Sequence, residues 1–188
     1  WPTVMQQYAD LYERLRKDAR KKRPKVSVVV TSYKLERFLP DALRSVQEQT
    51  LHDWECIVVD DASPDNSLAI AQDFAAKDKR FRVIQNQTNQ YLAGALNIGI
   101  GASRGRYVLP LDADNMIEHR TLQTLSEFLD GNRRVAIAYG AMKVVKDDGR
   151  TPDDSVAPGG ISSWPGTFDY LRQISHMNQI PSTCMFRR

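Results

Sequence analysis

Short apolar runs, each handing over to a stretch of helical periodicity, constrain this chain more than any other feature. They are Val26-Ser27-Val28-Val29-Val30, Trp54 to Val59, Phe81 to Ile84, the run through Tyr107-Val108-Leu109-Pro110-Leu111, and Val135 to Tyr139. Runs of this length, rich in β-branched residues, suit strands buried on both faces. Helical spacing follows at Leu39, Leu43 and Val46 within Phe38 to Gln49, then at Leu68, Ile70, Ala71 and Phe74. It returns over Leu92 to about Ser103, with Gly105 as the expected C-cap, and at Leu122, Leu125, Phe128 and Leu129. Asn115 and Glu118 have the spacing of a capping box for that last helix, and Gly131-Asn132 is its stop. Strand-helix alternation with short connections predicts an α/β fold: a mostly parallel sheet, helices on both faces, right-handed crossovers. Pro110 conflicts with a central ladder position, because proline has no N–H to donate, so it is expected where pairing ends.

The two ends read differently. Val4, Tyr8, Leu11, Tyr12 and Leu15 form one apolar stripe, predicting a helix over residues 3 to about 20. Arg14 to Lys25 is strongly basic and reads as a solvated linker, with contact to an anionic membrane surface as the functional alternative. Residues 1–24 are therefore set apart from a domain over 25–188. After Lys143 the alternation fails. Asp147 to Gly166 reads as a loop, Thr167 to Ile174 as a short helix and Ser182 to Phe186 as a further strand. At 188 residues the chain can bury one real core. Its net charge of +3 is too small to imply nucleic acid. No apolar run approaches the roughly 18–20 residues of a membrane span. Cys56 and Cys184 lack metal-type spacing and are expected as reduced thiols of a cytoplasmic protein, with the basic run able to meet the inner face of a membrane. The chain starts at Trp1 rather than Met and is expected to be a fragment of something longer.

In open parallel sheets, ligands bind outside the carboxyl ends of the strands. The polar clusters fall there: Thr31 and Tyr33 after the first strand, Asp60 and Asp61 after the second, Asp112 and Asp114 after the fourth. Successive side chains of an extended chain point to opposite faces, so Asp112 and Asp114 share a face while Ala113 points away. Paired carboxylates repel unless a cation sits between them, and Mg²⁺ or Mn²⁺ takes one or two carboxylates and completes its shell with water and phosphate oxygens. Each cluster has a plainer reading. Asp60-Asp61 beside Ser63-Pro64-Asp65 could be turn chemistry, Asp112 to Asn115 a polar turn before a helix, and Tyr33 an aromatic at a sheet edge. Their coincidence on one rim favours a ligand site with an aromatic face, an acceptor carboxylate and a metal-binding pair, which is what a nucleoside diphosphate needs. Gly99-Ile100-Gly101 lies in a helical region rather than between a strand and a helix, and no Gly-Lys-Ser/Thr phosphate loop is present, so the dinucleotide and phosphate-loop motifs are excluded.

At these residues the chain resembles the family-2 glycosyltransferases of the GT-A fold, from about Lys25 to Leu129 and more weakly to Arg188. The motifs are Val28-Val29-Val30-Thr31-Ser32-Tyr33, Leu43 to Thr50, Val58-Val59-Asp60-Asp61-Ala62-Ser63, Ala95 to Ile100, and Gly105-Arg106-Tyr107 leading to Leu111-Asp112-Ala113-Asp114. Their order and spacing are far more specific than any one of them. The resemblance implies a Rossmann-like GT-A domain in polysaccharide or glycan biosynthesis. It would move a sugar, hexosyltransferase-fashion, from a UDP-linked donor to a hydroxyl of a glycan or other acceptor, with inversion and with Mn²⁺ or Mg²⁺. It further implies that Thr31 and Tyr33 cradle the base and ribose and that Asp61 accepts from the base N–H, with Asp60 beside it orienting the turn. Asp112 would contact the ribose or the metal's water shell, and Asp114 would be the direct metal ligand.

Departures are Lys34, where the family often has Asn, and Tyr91 after Asn89, where it often has Gly. Tyr91 is expected to narrow the sugar-phosphate side of the cleft. The N-terminal stretch with Trp1-Pro2 and Tyr8 to Tyr12 is similar to the closing helix of a GT-B glycosyltransferase, implying a second transferase module upstream. Inverting transfer needs a general base. In the family it follows a Gly-Gly stretch downstream of a strand like Cys184 to Arg188, so it is expected beyond Arg188. No motif supports Asp153, Asp154 or Asp169 in that role, or His176 as a phosphate contact. Two alternatives are a nucleotide-sugar-binding module without its base, and a haloacid-dehalogenase-type phosphotransferase. The latter normally carries its acidic pair at the end of the first strand.

Overall fold

A computed structural model of the protein describes residues 5–10, 23–140, 142–143, 161–162 and 184–188. Residues 5–10 are helical (α1), with Met5 and Tyr8 exposed. The alternation then runs as predicted: β1 Val26–Ser32, α2 Leu39–Gln47, β2 Trp54–Asp60, α3 Ser67–Lys77, β3 Phe81–Gln85, α4 Tyr91–Ala102, β4 Tyr107–Asp112 and α5 Thr121–Gly131. Short strands follow: β5 Ile137–Tyr139, β6 Met142–Lys143, β7 Ile161–Ser162 and β8 Cys184–Arg187. The main sheet has six strands in the order β3-β2-β1-β4-β8-β5, and β6 pairs with β7 in a separate two-stranded ribbon. β1 lies parallel to β2 in a register that puts Ser32 beside Asp60, and parallel to β4 in a register that puts Thr31 beside Asp112. The loop expected over 147–166 lies largely, and the helix expected over 167–174 wholly, outside the described residues, as do Asp153, Asp154, Asp169 and His176.

The fifth strand departs from expectation. It is shorter than Val135 to Tyr139, and it does not adjoin β4: β8 lies between them, antiparallel to both. Val135 is held out of the ladder, its N–H donating to Asn132 O (2.9 Å) and its carbonyl accepting from Arg187 Nε (2.9 Å). The Arg187 guanidinium also donates to the carbonyls of Leu129 and Asn132 and to the Tyr107 hydroxyl, which in turn donates to Asp130 Oδ1 (2.7 Å). β8 is thereby fastened to the end of α5. Its pairing with β4 involves Tyr107 and Val108 alone, so Pro110 sits past the end of that ladder, where a missing N–H costs little. On the β1 side, contrary to expectation, Pro110 stays within the ladder opposite Val29.

Alternation along the strands divides the core between the two faces. Val26, Val28, Val30, Cys56, Val58, Leu109 and Leu111 pack with Leu39, Leu43 and Val46 of α2 and Leu122, Leu125 and Leu129 of α5. On the other face Ile57 and Val59 pack with Ala95 of α4, flanked by Ile84, Ile98 and Ala102. Each fully buried aliphatic side chain contributes about 1.5–3 kcal/mol. Helix α4 can lie this close because of Gly99, where a Cβ would come within 2.3 Å of Val29 Cγ1 and 3.1 Å of Val59 Cγ2.

The predicted caps are replaced by longer-range contacts. Gly105 does not cap α4, which ends at Ala102 with Ser103 as its C-cap. It instead passes so close to β1 that a Cβ would meet the Ser27 backbone nitrogen at 2.5 Å, and its N–H donates to Ser27 Oγ at 2.8 Å. Ser27 Oγ donates to Glu55 Oε1 (2.7 Å), and the Arg104 guanidinium holds Glu55 Oε2 (2.6 Å). Burial pushes the Glu55 carboxyl upward. The bonds from the Arg104 side chain, Ser27 and the Arg104 N–H, with the nearby Arg82 charge, outweigh it and leave the carboxyl below its ordinary range. Helix α5 starts after Arg120, so Asn115 and Glu118 do not form the capping box. The buried Gln49 side chain serves that end instead, accepting from Leu122 N (2.9 Å) and donating to Glu118 O (2.8 Å). These contacts pin the amino ends of the strands and the far side of the sheet, leaving the carboxyl rim for a ligand.

Candidate functional site

The face that carries α4 leads directly to the site. On β1 the residues Val29, Thr31 and Tyr33 follow one another on that face, and on β2 Val59 leads to Asp61. The Thr31–Asp112 register carries the same face onto β4, and Asp114 reaches the cleft from the turn that follows, closed by the Asn115 N–H donating to Asp112 O (2.9 Å). Thr31, Tyr33, Asp61, Asp112 and Asp114 accordingly line one cleft of about 660 Å³. Ser32 and Leu35 add to its floor. Asn89, Tyr91, Leu92 and Ala95, from the start of α4, make the opposite wall.

Asp60 is the exception among the predicted residues. It falls on the other face of the sheet and is not part of the cleft lining. Its Oδ2 accepts from the Ser63 N–H at 3.2 Å, so it shapes the turn after β2. Asp61 is buried, yet borders the cleft. Its Oδ1 accepts from Asn86 Nδ2 (2.7 Å) and from the Gln90 backbone N–H (2.8 Å). Both bonds use one oxygen, so the carboxylate keeps its second oxygen for a ligand. Gln90 immediately precedes α4, which makes Asp61 a tie between the sheet rim and the helix wall.

Sequence reasoning missed part of the lining. Ser32 borders the cleft, but its register beside Asp60 and strand alternation put its buried, unpartnered hydroxyl on the other face of the sheet. Asn89, Leu92 and Ala95 carry no motif chemistry; only their place at the start of a helix facing the rim could have marked them. Among the described residues three non-glycine positions adopt left-handed backbone, Lys34 (φ 58°), Ala62 (φ 60°) and Tyr91 (φ 59°). Lys34 and Ala62 lie in the turns leaving β1 and β2, and Tyr91 opens α4, so all three surround the rim.

Asp112 is half-buried and Asp114 exposed, and both face the cleft. Among the described residues no group of three or more His, Cys, Asp or Glu side chains gathers into a self-sufficient metal cage. The donor set is one carboxylate pair at an open cleft, which suits Mg²⁺ or Mn²⁺ when water and phosphate oxygens complete the shell. Both cysteines are free thiols; Cys56 is buried and outside the cleft lining, and burial, with Glu55 and Asp78 nearby, pushes its thiol far above the ordinary value. Among the described residues no helix is long and apolar enough to cross a membrane.

Comparison with known proteins agrees with this geometry. EpsJ, a glycosyltransferase of Bacillus subtilis, is 39% identical over 124 residues, covering 66% of this chain and 36% of that protein. EpsE of the same organism is 36% identical over 127 residues and is covered to 46%, so the chain spans between a third and a half of these relatives. Among solved structures, S. aureus TarS 1-349 in complex with UDP is 30% identical with a TM-score of 0.60, covering 65% of this chain and 37% of that one. The mannosyltransferase PcManGT from Pyrobaculum calidifontis, in complex with GDP-Man and Mn²⁺, is 25% identical with a TM-score of 0.57, covering 67% of this chain and 36% of that one. The model of the family described as glycosyl transferase family 2 matches residues 27–188, and with the GT-A-like sheet and its rim this establishes that the chain belongs to glycosyl transferase family 2.

Proposed function

We propose that the protein binds a UDP-linked sugar in the rim cleft and contributes to its transfer, with inversion and with a divalent cation, onto a hydroxyl of a glycan or other acceptor. The observation that carries this reading is the gathering of Asp61, Asp112 and Asp114 with Thr31 and Tyr33 on one face of the sheet, around a single cleft. TarS with UDP and PcManGT with GDP-Man and Mn²⁺ support a nucleotide donor and a metal.

On this reading Asp61 orients the base by accepting its N–H on the oxygen that the Asn86 and Gln90 bonds leave over. Tyr33 supplies a stacking face, and Thr31 offers its hydroxyl to the ribose. Asp112 steadies the ribose or the metal's water, and Asp114 holds the cation. The cation, when bound, neutralises charge building on the leaving diphosphate. Asp60 takes no direct part. Residues 25–188 form the donor-binding domain, preceded by the helix and basic linker of 1–24, and the stretch 14–25 offers a point of contact for an anionic membrane surface. A phosphotransferase of the haloacid-dehalogenase type fits poorly, because Asp112 ends β4 rather than β1.

A thermal-shift panel of UDP, GDP, dTDP and CDP, each with and without Mn²⁺, tests the donor assignment. A ligand at 100 times its dissociation constant stabilises by roughly 2.7 kcal/mol. UDP with Mn²⁺ is expected to give the largest shift; GDP binding far more tightly than UDP would refute the uridine assignment. Turnover with an activated sugar then separates an enzyme from a binding module.

A further inference from the structure

Tyr91 is 80% exposed, opens helix α4, lines the cleft and holds a left-handed backbone (φ 59°). Left-handed backbone is a genuine outlier for a bulky side chain, and glycine would adopt it freely. Hydrogen bonds hold the backbone on either side of Gln90, the residue before Tyr91. The Tyr91 N–H donates to Asn89 Oδ1 (2.8 Å), and the Gln90 N–H donates to Asp61 Oδ1 (2.8 Å). A strained position filled by a large aromatic, with its neighbours locked, points to a role for the side chain. Leu92 beside it is 61% exposed, so the wall presents an apolar, aromatic surface to the cleft. Tyr33 lines the same cleft, 40% exposed, with Lys34 Nζ lying 5.1 Å from its ring centroid.

We infer that Tyr91 is a nucleotide-binding residue that stacks on the donor's nucleobase, closing with Tyr33 an aromatic clamp around the base whose N–H Asp61 accepts. This rests on the nucleotide-sugar reading above. The base is the part of the donor concerned because the Gln90 N–H, one residue before Tyr91, is bonded to Asp61, the acceptor for that base. A flat heterocycle satisfies an N–H acceptor in its plane and rings on its faces at once.

The strain makes the test two-sided. Tyr91→Gly removes the ring and relieves the backbone, whereas Tyr91→Phe keeps the ring and the strain. Tyr91→Gly is expected to raise Tm while weakening UMP, UDP and UDP-GlcNAc alike by roughly 5- to 150-fold in calorimetry, the range set by base–aromatic stacking. Tyr91→Phe is expected to keep near-native affinity for all three. Unchanged UMP and UDP affinity in Tyr91→Gly overturns the clamp while leaving the donor site standing. A loss confined to UDP-GlcNAc places the ring on the sugar and overturns the base assignment. Failure of the unmutated chain to bind any of the three overturns the donor reading and the clamp together.

Discussion

The Asp61 carboxylate accepts the backbone N–H of Gln90 at 2.8 Å, so the residue that follows β2 also sets the entry of α4. One oxygen serves the fold and the other is available to a ligand. Asp61→Asn keeps the shape but replaces an acceptor-only group with one that also donates. UDP affinity is expected to fall by roughly 1–3 kcal/mol in calorimetry. Hydrogen exchange at Gln90 should change little, because the amide keeps its oxygen toward the Asn86 and Gln90 donors and presents its nitrogen to the ligand. Unchanged affinity would remove Asp61 from the donor site.

Gly99 sets how closely α4 approaches the sheet. In Gly99→Ala the new methyl would stand 2.3 Å from Val29 Cγ1, so the helix must move outward. Overpacking of this kind costs about 1–3 kcal/mol, measurable by urea denaturation. Tyr91 and Leu92 ride on the same helix, so nucleotide affinity should fall too. The double variant Gly99→Ala/Val29→Ala should recover part of both losses; no recovery would show that the close contact is not the cause.

Most of the fold was legible because β-branched runs and helical spacing are local signals. The strands β1 to β4 and the helices between them depend on little else. The place of β8 was not legible. It rests on Arg187 reaching carbonyls of α5 and the turn after it, contacts that no periodicity encodes. The caps failed for a related reason: Gln49 and Ser27 act across long stretches of sequence, whereas capping motifs are read locally. Within the site, Asp112 and Asp114 both line the cleft, but a turn rather than strand alternation brings Asp114 there. Alternation, applied across Asp60-Asp61, separates those residues by face and explains why Asp60 turns to Ser63. Ser32 was invisible as a site residue because a serine at a strand end has no distinctive pattern.

Glu55 predicts a pH dependence. Its folded carboxyl lies below the ordinary value because the bonds from Arg104 and Ser27 outweigh burial. A depressed folded pKa contributes stability that is full above the unfolded value, about 4.3, and is lost as pH falls through the folded value. The unmutated chain should therefore lose stability more steeply than Glu55→Gln as pH drops below about 4.3. Parallel stability curves for the two proteins would count against the network.

Cys56 should be inert in the native state, since the thiolate is the reactive form and burial holds the thiol protonated. Alkylation by iodoacetamide at about pH 8 should reach Cys56 only on unfolding, at a rate that rises with urea. Rapid labelling of Cys56 without denaturant would contradict its place in the core.

The decisive measurement is UDP affinity by calorimetry in the presence and absence of Mn²⁺, for the unmutated chain and for Asp114→Ala. If the cation bridges the acidic pair and the diphosphate, each ligand strengthens the other by the same factor, in the range of about 5- to 150-fold. Asp114 is exposed at the rim, so Asp114→Ala should leave Tm unchanged while abolishing that factor. UDP binding that is indifferent to Mn²⁺ in the unmutated chain, or coupling that survives Asp114→Ala, would contradict a metal-assisted nucleotide site at Asp112 and Asp114.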